Sequence, residues 1–316
     1  MIKRKWIRRF LWSLLAVFLA MNVIAYMHAW KFTHFSNTTN QRTEKEKLTS
    51  WDKIKILFTG VDNPRPQNKR IPSLPYLTVN IKADVNLECW LIKAENSKGT
   101  VILFHGYGGE KSGMLDKAEA FHAMGYSVLL VDFGGSGGSE GNKTTIGYGE
   151  ADEVFACYQY VLAQGEKNLV LFGTSMGAAA IMKSINDHHI HPSCIIIECP
   201  FGTMYQTVCN RFRSMHVPVF PMAGLLVFWG GVQNGFPAFS HNPEDYAKQI
   251  DCPSLIFYGE QDEKVSRKEI NTIYENLRGE KQLITFPKAA HEDYLTKYKK
   301  EWIESSSWFM SKHSKQ

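Results

Sequence analysis

The chain has 316 residues, of which 44% are hydrophobic and 21% are charged. That length and balance are typical of a globular protein with a sizeable core, and they argue against a disordered chain. The sequence has 36 basic and 31 acidic residues, and the whole excess lies in five basic residues near the N-terminus. The rest of the chain is therefore formally neutral, which argues against a nucleic-acid-binding surface.

Residues 10–29 contain no Asp, Glu, Lys or Arg. A helix of that length spans roughly 30 Å, the thickness of the hydrocarbon core of a bilayer. The basic residues precede this run and only Lys31 follows closely, so the positive-inside rule predicts a cytoplasmic N-terminus and an extracytoplasmic body. A cleaved signal peptide is the alternative, but its apolar core is usually only about 7–15 residues long. We therefore favour a membrane anchor over residues 1–30.

Residues 31–75 are predicted to be a linker followed by extended chain. The first part is polar with little periodicity, and a short helical stretch is expected near residues 44–48. Four prolines between residues 64 and 75 disfavour a helix there.

From residue 76 to 316, short apolar runs alternate with longer helical patterns. The candidate strands are residues 77–81, 87–93, 100–105, 127–132, 168–174, 194–199, 254–259 and 282–286. The candidate helices are residues 114–124, 148–164, 176–187, 266–277 and 292–310. The later strands are nearly continuous in apolar residues, as in parallel strands buried on both faces, and the first two suit an antiparallel hairpin at an edge. The fold class is α/β, with a mostly parallel eight-stranded sheet and helices on both faces.

Such a sheet presents its chemistry at the carboxyl ends of its strands. The fifth candidate strand ends in Gly173-Thr174-Ser175-Met176-Gly177, and a helical pattern follows. A serine in a sharp strand-to-helix turn needs small neighbours, which the two glycines supply. We therefore predict that Ser175 is a nucleophile.

A nucleophilic serine needs a base, and the base needs an orienting acid. His291 follows the last candidate strand, and Asp262 follows the strand before it. The order Ser175, Asp262, His291 is the order that this type of sheet uses. Glu260 in the same turn and Glu198 at the end of the strand after the serine remain alternatives to Asp262.

The strand at residues 100–105 is followed by Gly106-Tyr107-Gly108-Gly109. Glycines there let the chain turn so that the Tyr107 N–H, paired with the Met176 N–H, forms an oxyanion hole. For His105 we favour a structural role, with hydrogen bonds to loop backbone.

Several features argue against a metal or nucleotide site. The six cysteines form no Cys-x-x-Cys pair, so neither a zinc site nor a redox dithiol is indicated. The glycine-rich loop at residues 132–141 has neither the spacing nor the Lys of a phosphate-binding loop. His188, His189 and His191 are expected in a solvated connection, with a metal site as the less favoured interpretation.

Together these residues resemble the α/β-hydrolase superfamily over roughly residues 75–312. The match includes His105-Gly106, the Asp132 loop ending in Gly137-Gly138-Ser139, residues 173–177, residues 259–262 and His291. Within the superfamily the chain is similar to the serine-aminopeptidase-type and membrane-anchored Bem46-like branch. The resemblance implies hydrolysis of an ester, thioester or amide by an acyl-enzyme mechanism that needs no cofactor and no metal.

Residues 201–247 are longer than a simple crossover requires, and they occupy the place where relatives carry a cap over the active site. No Asp, Glu, Lys or Arg occurs from residue 214 to residue 243, but prolines and glycines interrupt the run and argue against a second membrane span. An apolar cap favours a lipid-like acyl ester or thioester as substrate, although these side chains could equally pack on the core. An aminopeptidase-type peptidase and a non-catalytic scaffold are the alternative functions.

Overall fold

The structure is a computed structural model that describes residues 2–36 and 50–313. The helical stretch predicted near residues 44–48 lies outside the described residues.

A single eight-stranded sheet forms the centre of the molecule. Its strands are β1 (Leu77–Lys82), β2 (Asn86–Ile92), β3 (Thr100–Phe104), β4 (Ser127–Val131), β5 (Leu169–Thr174), β6 (Cys194–Glu198), β7 (Ser254–Gly259) and β8 (Lys281–Phe286). They lie in the order β1-β2-β4-β3-β5-β6-β7-β8. β2 pairs antiparallel with β1 and with β4, and the other pairs are parallel. The predicted fold class is confirmed, and each strand lies within one residue of its predicted bounds.

The burial of the strands explains why the sequence pattern was informative. Every residue of β3, β4, β6 and β7 is buried, because helices cover both faces of the sheet. Such strands need apolar side chains on both faces, and they therefore appear as unbroken apolar runs. The edge strand β1 is mostly exposed, in keeping with its mixed composition.

The described helices are α1 (Ile2–Thr33), α2 (Ser50–Thr59), α3 (Leu115–Ala123), α4 (Glu150–Ala163), α5 (Met176–His188), α6 (Met204–Ser214), α7 (Met222–Asn234), α8 (Pro243–Tyr246), α9 (Arg267–Asn276), α10 (Tyr294–Lys297) and α11 (Lys299–His313). One face of the sheet packs against α4, α5 and α9, and the other packs against α3 and α11. Two apolar layers therefore enclose the sheet, as expected for this class.

Three helical regions differ from the prediction. The pattern over residues 292–310 predicted one helix, but two form, because Tyr298 leaves the helical conformation and stacks its ring on Phe286 at 4.6 Å. α2 begins at Ser50, where we expected linker and extended chain. It ends at Thr59, and the next residue, Gly60, has a φ of +79° that suits the position after a helix. α6 and α7 form between β6 and β7, a region that contains none of the candidate helices.

Within the described residues, one helix is long and apolar enough to cross a membrane, judged by length and composition: Arg4–Thr33, in α1. Most of its side chains are exposed, but Ala25 and Ala29 near its C-terminal end are buried against the rest of the molecule. Most of α1 is therefore apolar and exposed, and its C-terminal end packs against the rest of the molecule.

Candidate active site

Ser175 occupies a sharp turn between β5 and α5. Its φ and ψ are +52° and −106°, a conformation that residues other than glycine rarely adopt. A Cβ atom at Gly177 would lie 2.3 Å from the carbonyl oxygen of Phe104, and one at Gly173 would lie 2.6 Å from the Gly177 carbonyl carbon. The two glycines are thus required by the close approach of strand and helix. Strained backbone of this kind is concentrated at functional sites.

His291 and Asp262 are joined by a hydrogen bond. Nδ1 of His291 lies 2.7 Å from Oδ2 of Asp262, whose side-chain carboxylate is buried. The other carboxylate oxygen accepts hydrogen bonds from the backbone N–H groups of Lys264 and Val265, at 2.7 and 3.0 Å. This fixes the carboxylate, so that Nδ1 of His291 is the donor and Nε2 is left to act on another group.

The two alternative acids are bonded elsewhere. Glu198 accepts hydrogen bonds from Trp302 Nε1 at 2.7 Å and from Thr174 Oγ1 at 3.0 Å. Glu260 forms an ion pair with Arg267. Of the three candidate acids, Asp262 is the one whose carboxylate contacts His291.

Ser175 and His291 line the same cavity, whose volume is about 340 Å³. Among the described residues, no hydrogen bond joins their side chains. Such catalytic bonds are often long in a ligand-free site and tighten when substrate binds. Nε2 of His291 lies instead 3.9 Å from the Sγ atom of Cys199.

Cys199 is the site residue that our sequence reasoning missed. It directly follows β6, so it lies at the same edge of the sheet as Ser175, Asp262 and His291, which follow β5, β7 and β8. The cysteine spacing argued only against a zinc site and a redox dithiol, and it assigned no role to Cys199. The signal that could have identified it is its position, since each of four neighbouring strands carries a polar side chain at its carboxyl end.

The surroundings of His291 favour its protonated form. Burial lowers the pKa of the imidazole, but the electrostatic interaction with Cys199 and the hydrogen bond to Asp262 outweigh burial and raise the pKa of His291 to about 10. A general base must be unprotonated near the working pH. The contacts with Cys199 and Asp262 therefore both favour the protonated imidazole over the neutral base.

Cys199, Asp262 and His291 also form a cluster, within the described part of the chain, that could hold a metal ion. Ligand atoms of Cys199, Asp262 and His291 lie within 4.8 Å of one another. However, the Asp262 carboxylate is occupied by the imidazole and by two backbone N–H groups. This arrangement suits an acid–base pair better than a metal centre. His188, considered above for a metal, instead pairs with Asp152 at 2.7 Å and stacks on Phe155.

Of the two predicted oxyanion-hole residues, Tyr107 lines the same cavity as Ser175, and Met176 follows Ser175 in the chain. Tyr107 lines the cavity just after β3. Met176 is the first residue of α5, where backbone N–H groups have no partner within the helix and the helix dipole favours negative charge. His105 is buried, and its Nε2 accepts a hydrogen bond from the Phe133 N–H at 3.2 Å. That contact agrees with the structural role expected for His105.

The lining of the cavity is more polar than the composition of the insertion had suggested. Six charged side chains line it: Glu110, Lys117, Arg211, Lys264, Glu292 and Asp293. Of the described lining residues, Arg211 is the one that comes from residues 201–247. The apolar side chains of the insertion therefore lie away from this cavity.

Comparisons with known proteins agree with this architecture. The family described as serine aminopeptidase, S33, matches residues 95–246. The chain is 27% identical over 183 residues to the lysophosphatidylserine lipase ABHD12 of Danio rerio. The matched region is 55% of this chain but only 46% of the lipase. It is 24% identical over 233 residues to the uncharacterized membrane protein YNL320W of Saccharomyces cerevisiae, covering 70% of this chain and 75% of that protein.

A solved structure shows the same fold. The Pyrococcus furiosus esterase Pf2001 superposes with a TM-score of 0.68 at 23% identity, over 80% of this chain and 97% of the esterase. The chain has the α/β-hydrolase fold, and the family match and the relatives support a hydrolase activity and a place in the α/β-hydrolase superfamily.

Proposed function

We propose that the protein is a membrane-anchored serine hydrolase that cleaves carboxylic ester or thioester bonds through an acyl-enzyme. The proposal rests above all on one observation. The hydrogen-bonded pair of His291 and Asp262 opens onto the cavity in which Ser175 occupies a strained turn. Nucleophilic catalysis by a serine needs a base that is oriented by an acid and can reach the serine, and the His291–Asp262 pair on the wall of this cavity supports that role.

In the proposed mechanism, Nε2 of His291 takes the proton of Ser175 as Oγ attacks the acyl carbonyl. Asp262 holds the imidazole in the tautomer that has its proton on Nδ1, and it stabilises the imidazolium that forms. The backbone N–H groups of Tyr107 and Met176 stabilise the oxyanion. His291 then protonates the leaving group and activates the water that releases the acyl chain.

The proposed substrate is an amphiphilic ester. The charged lining of the cavity suits a polar group next to the scissile bond, and the uncharged run over residues 214–243, which lies outside the cavity, suits the part of an apolar acyl chain that extends beyond it. A lipase of lysophosphatidylserine among the relatives is consistent with such a substrate.

The proposed organisation is a membrane anchor (residues 1–30), a linker (31–75) and a hydrolase domain (76–316) with a cap at 201–247. α1 would cross the membrane with its basic N-terminus in the cytoplasm, which places the hydrolase domain on the other side.

The test is labelling of the purified full-length chain in detergent by a fluorophosphonate, which reacts with activated serines. We expect the wild type to be labelled and Ser175→Ala to be unlabelled, while Ser307→Ala, a change at an exposed serine of α11, keeps full labelling. Labelling that persists in Ser175→Ala would overturn the assignment of the nucleophile. A folded wild type that is never labelled would favour the scaffold.

The peptidase alternative has one observation in its favour, since three carboxylates line the cavity and could bind a substrate amine. Two of them already pair with lysines, Glu292 with Lys297 and Asp293 with Lys117 at 2.6 Å. Comparing aminoacyl amides with acyl esters of increasing chain length decides between the two activities. Faster cleavage of the amides would replace the esterase proposal.

A further inference from the structure

The apolar helix α1 packs directly against α7 of the insertion. Trp229 Nε1 donates a hydrogen bond to Asn22 Oδ1 at 3.2 Å, and Gln233 Nε2 donates one to the carbonyl of Tyr26 at 2.8 Å. The rings of Tyr26 and Trp229 also meet edge to face, with centroids 5.3 Å apart. α7 is therefore fixed to the anchor helix by polar and aromatic contacts.

These contacts lie inside the part of α1 that would cross the membrane. Asn22 and Tyr26 both belong to the uncharged run of residues 10–29. Asn22 is seven residues before the end of that run, a distance of about 10 Å along a helix. If residues 10–29 span the hydrocarbon core, the side of α7 that carries Trp229 lies at the same depth.

The two helices run in the same direction over this contact, because residues 22 and 26 meet residues 229 and 233 in that order. The N-terminal end of α7 therefore points toward the middle of the anchor. The connection between α6 and α7 lies beyond that end, and its Phe220 is 87% exposed while Val217 is 44% exposed. These side chains extend the exposed apolar surface at this end of α7, and a contiguous surface of that kind suits contact with lipid.

The outward surface of α7 has the composition of a lipid-facing surface. Phe228 and Val232 are about half exposed, and no Asp, Glu, Lys or Arg occurs from residue 214 to residue 243. A groove of about 410 Å³ runs beside the helix. Its lining includes Val227, Phe228, Val232, Phe236, Pro237 and Phe239. That volume is within the range of small-molecule sites, and an apolar chain is the ligand that such a lining fits.

We propose that α7 and the connection before it are immersed in the membrane leaflet next to the hydrolase domain, with lipid acyl chains occupying the groove beside α7. This inference rests on the membrane anchoring in the proposed function, and it identifies the lipids of the surrounding bilayer as the substrate source. α7 has 13 residues and is too short to span a bilayer, so it enters one leaflet from the side of the domain.

A second set of contacts, at the C-terminal end of α1, holds the cavity that contains Ser175 close to the membrane surface. The Phe32 ring, one turn after the uncharged run, stacks on Tyr107 at 4.5 Å, and the Tyr107 hydroxyl donates a hydrogen bond to the Phe32 carbonyl at 2.7 Å. The guanidinium of Arg211 lies over both rings. Because Tyr107 and Arg211 line the cavity, a lipid that leaves the leaflet beside α7 has only a short distance to travel.

The test measures the depth of a fluorophore in the full-length chain, reconstituted in phosphatidylcholine vesicles. A nitrobenzoxadiazole probe is attached to Phe228→Cys, and quenching is measured with lipids that carry a nitroxide on the acyl chain. The six native cysteines are buried, so the unsubstituted chain gives the labelling background. Two matched positions calibrate the signal: Phe18→Cys on exposed α1, and Ser307→Cys on α11 of the hydrolase domain.

We expect the probe at residue 228 to show blue-shifted emission and quenching comparable to that at residue 18, while the probe at residue 307 stays unquenched. Quenching at 18 but not at 228 would overturn the immersion of α7 and leave the anchor intact. An unquenched probe at 18 would overturn the anchor and the immersion together. If Phe228→Cys does not fold, Val217→Cys replaces it as the test position. The same blue shift and the same quenching are expected there.

Discussion

Replacing Cys199 by alanine should make His291 a better base at neutral pH. The thiol sulfur lies 3.9 Å from Nε2 of His291, with both side chains largely buried. At that separation a full negative charge on sulfur would stabilise the imidazolium by about 4 kcal/mol for an effective dielectric constant of about 20, which is the upper limit of the effect. That energy corresponds to a pKa change of about three pH units.

The direction follows from which form of His291 is active. Cys199 and Asp262 together raise the pKa of His291 from 6.5 to about 10, so the neutral base predominates only in alkaline solution. Removing the thiol lowers that pKa, and the base then becomes available at lower pH. The acidic limb of the activity profile should move to lower pH by up to about three pH units.

The assay is the second-order rate constant for fluorophosphonate labelling of Ser175, measured from acidic to alkaline pH, because it needs no knowledge of the natural substrate. Cys252→Ala is the matched control, since that cysteine is buried but is not part of the cavity lining. An acidic limb that stays in place in Cys199→Ala, or that moves to higher pH, would refute the electrostatic coupling between the thiol and the imidazole.

Two further predictions concern the acid and the serine turn. Asp262→Asn should lower kcat about 10³–10⁴-fold, because it favours the wrong tautomer of His291, whereas Glu260→Gln should keep a kcat near that of the wild type. The measurement is steady-state kinetics on an acyl ester, and equal kcat values for the two variants would contradict the assignment of Asp262. Gly177→Ala should destabilise the fold by about 1–3 kcal/mol or more, because its Cβ would lie 2.3 Å from the Phe104 carbonyl oxygen. In Gly230→Ala, in α7, the new Cβ atom meets no atom within 4 Å, and the substitution should stabilise the fold by up to about 1 kcal/mol because alanine favours a helix more than glycine does. Urea denaturation compares the two variants, and equal denaturation midpoints would refute the steric argument.

The sheet could be predicted closely because its signal is local. A strand buried on both faces must be apolar throughout, so β3, β4, β6 and β7 are visible as short apolar runs without knowledge of their neighbours. The parallel arrangement then brings the residues that follow the strands to one edge. This property of parallel sheets predicted that Ser175, Asp262 and His291 lie at one edge of the sheet. The catalytic roles of the three residues remain a proposal.

The features that depended on tertiary structure involve partners distant in sequence. The sequence favoured Asp262 and left Glu198 and Glu260 as alternatives, and the structure was needed to show which carboxylate reaches His291 and which is bonded to Trp302 or Arg267. The structure was equally required to find the thiol of Cys199 beside the imidazole.

The helix α7 shows the same limit most clearly. Its sequence contains three glycines and follows two prolines, so its local preference for a helix is weak. It forms where Trp229 and Gln233 bond to a helix about 200 residues earlier in the chain. The sequence by itself determined the sheet, the apolar helix at the N-terminus and the residues at the strand ends, because each has a local pattern. The acid partner, the thiol and the packing of the insertion on the anchor were decided only by the tertiary structure, because their energies come from contacts that no local pattern contains.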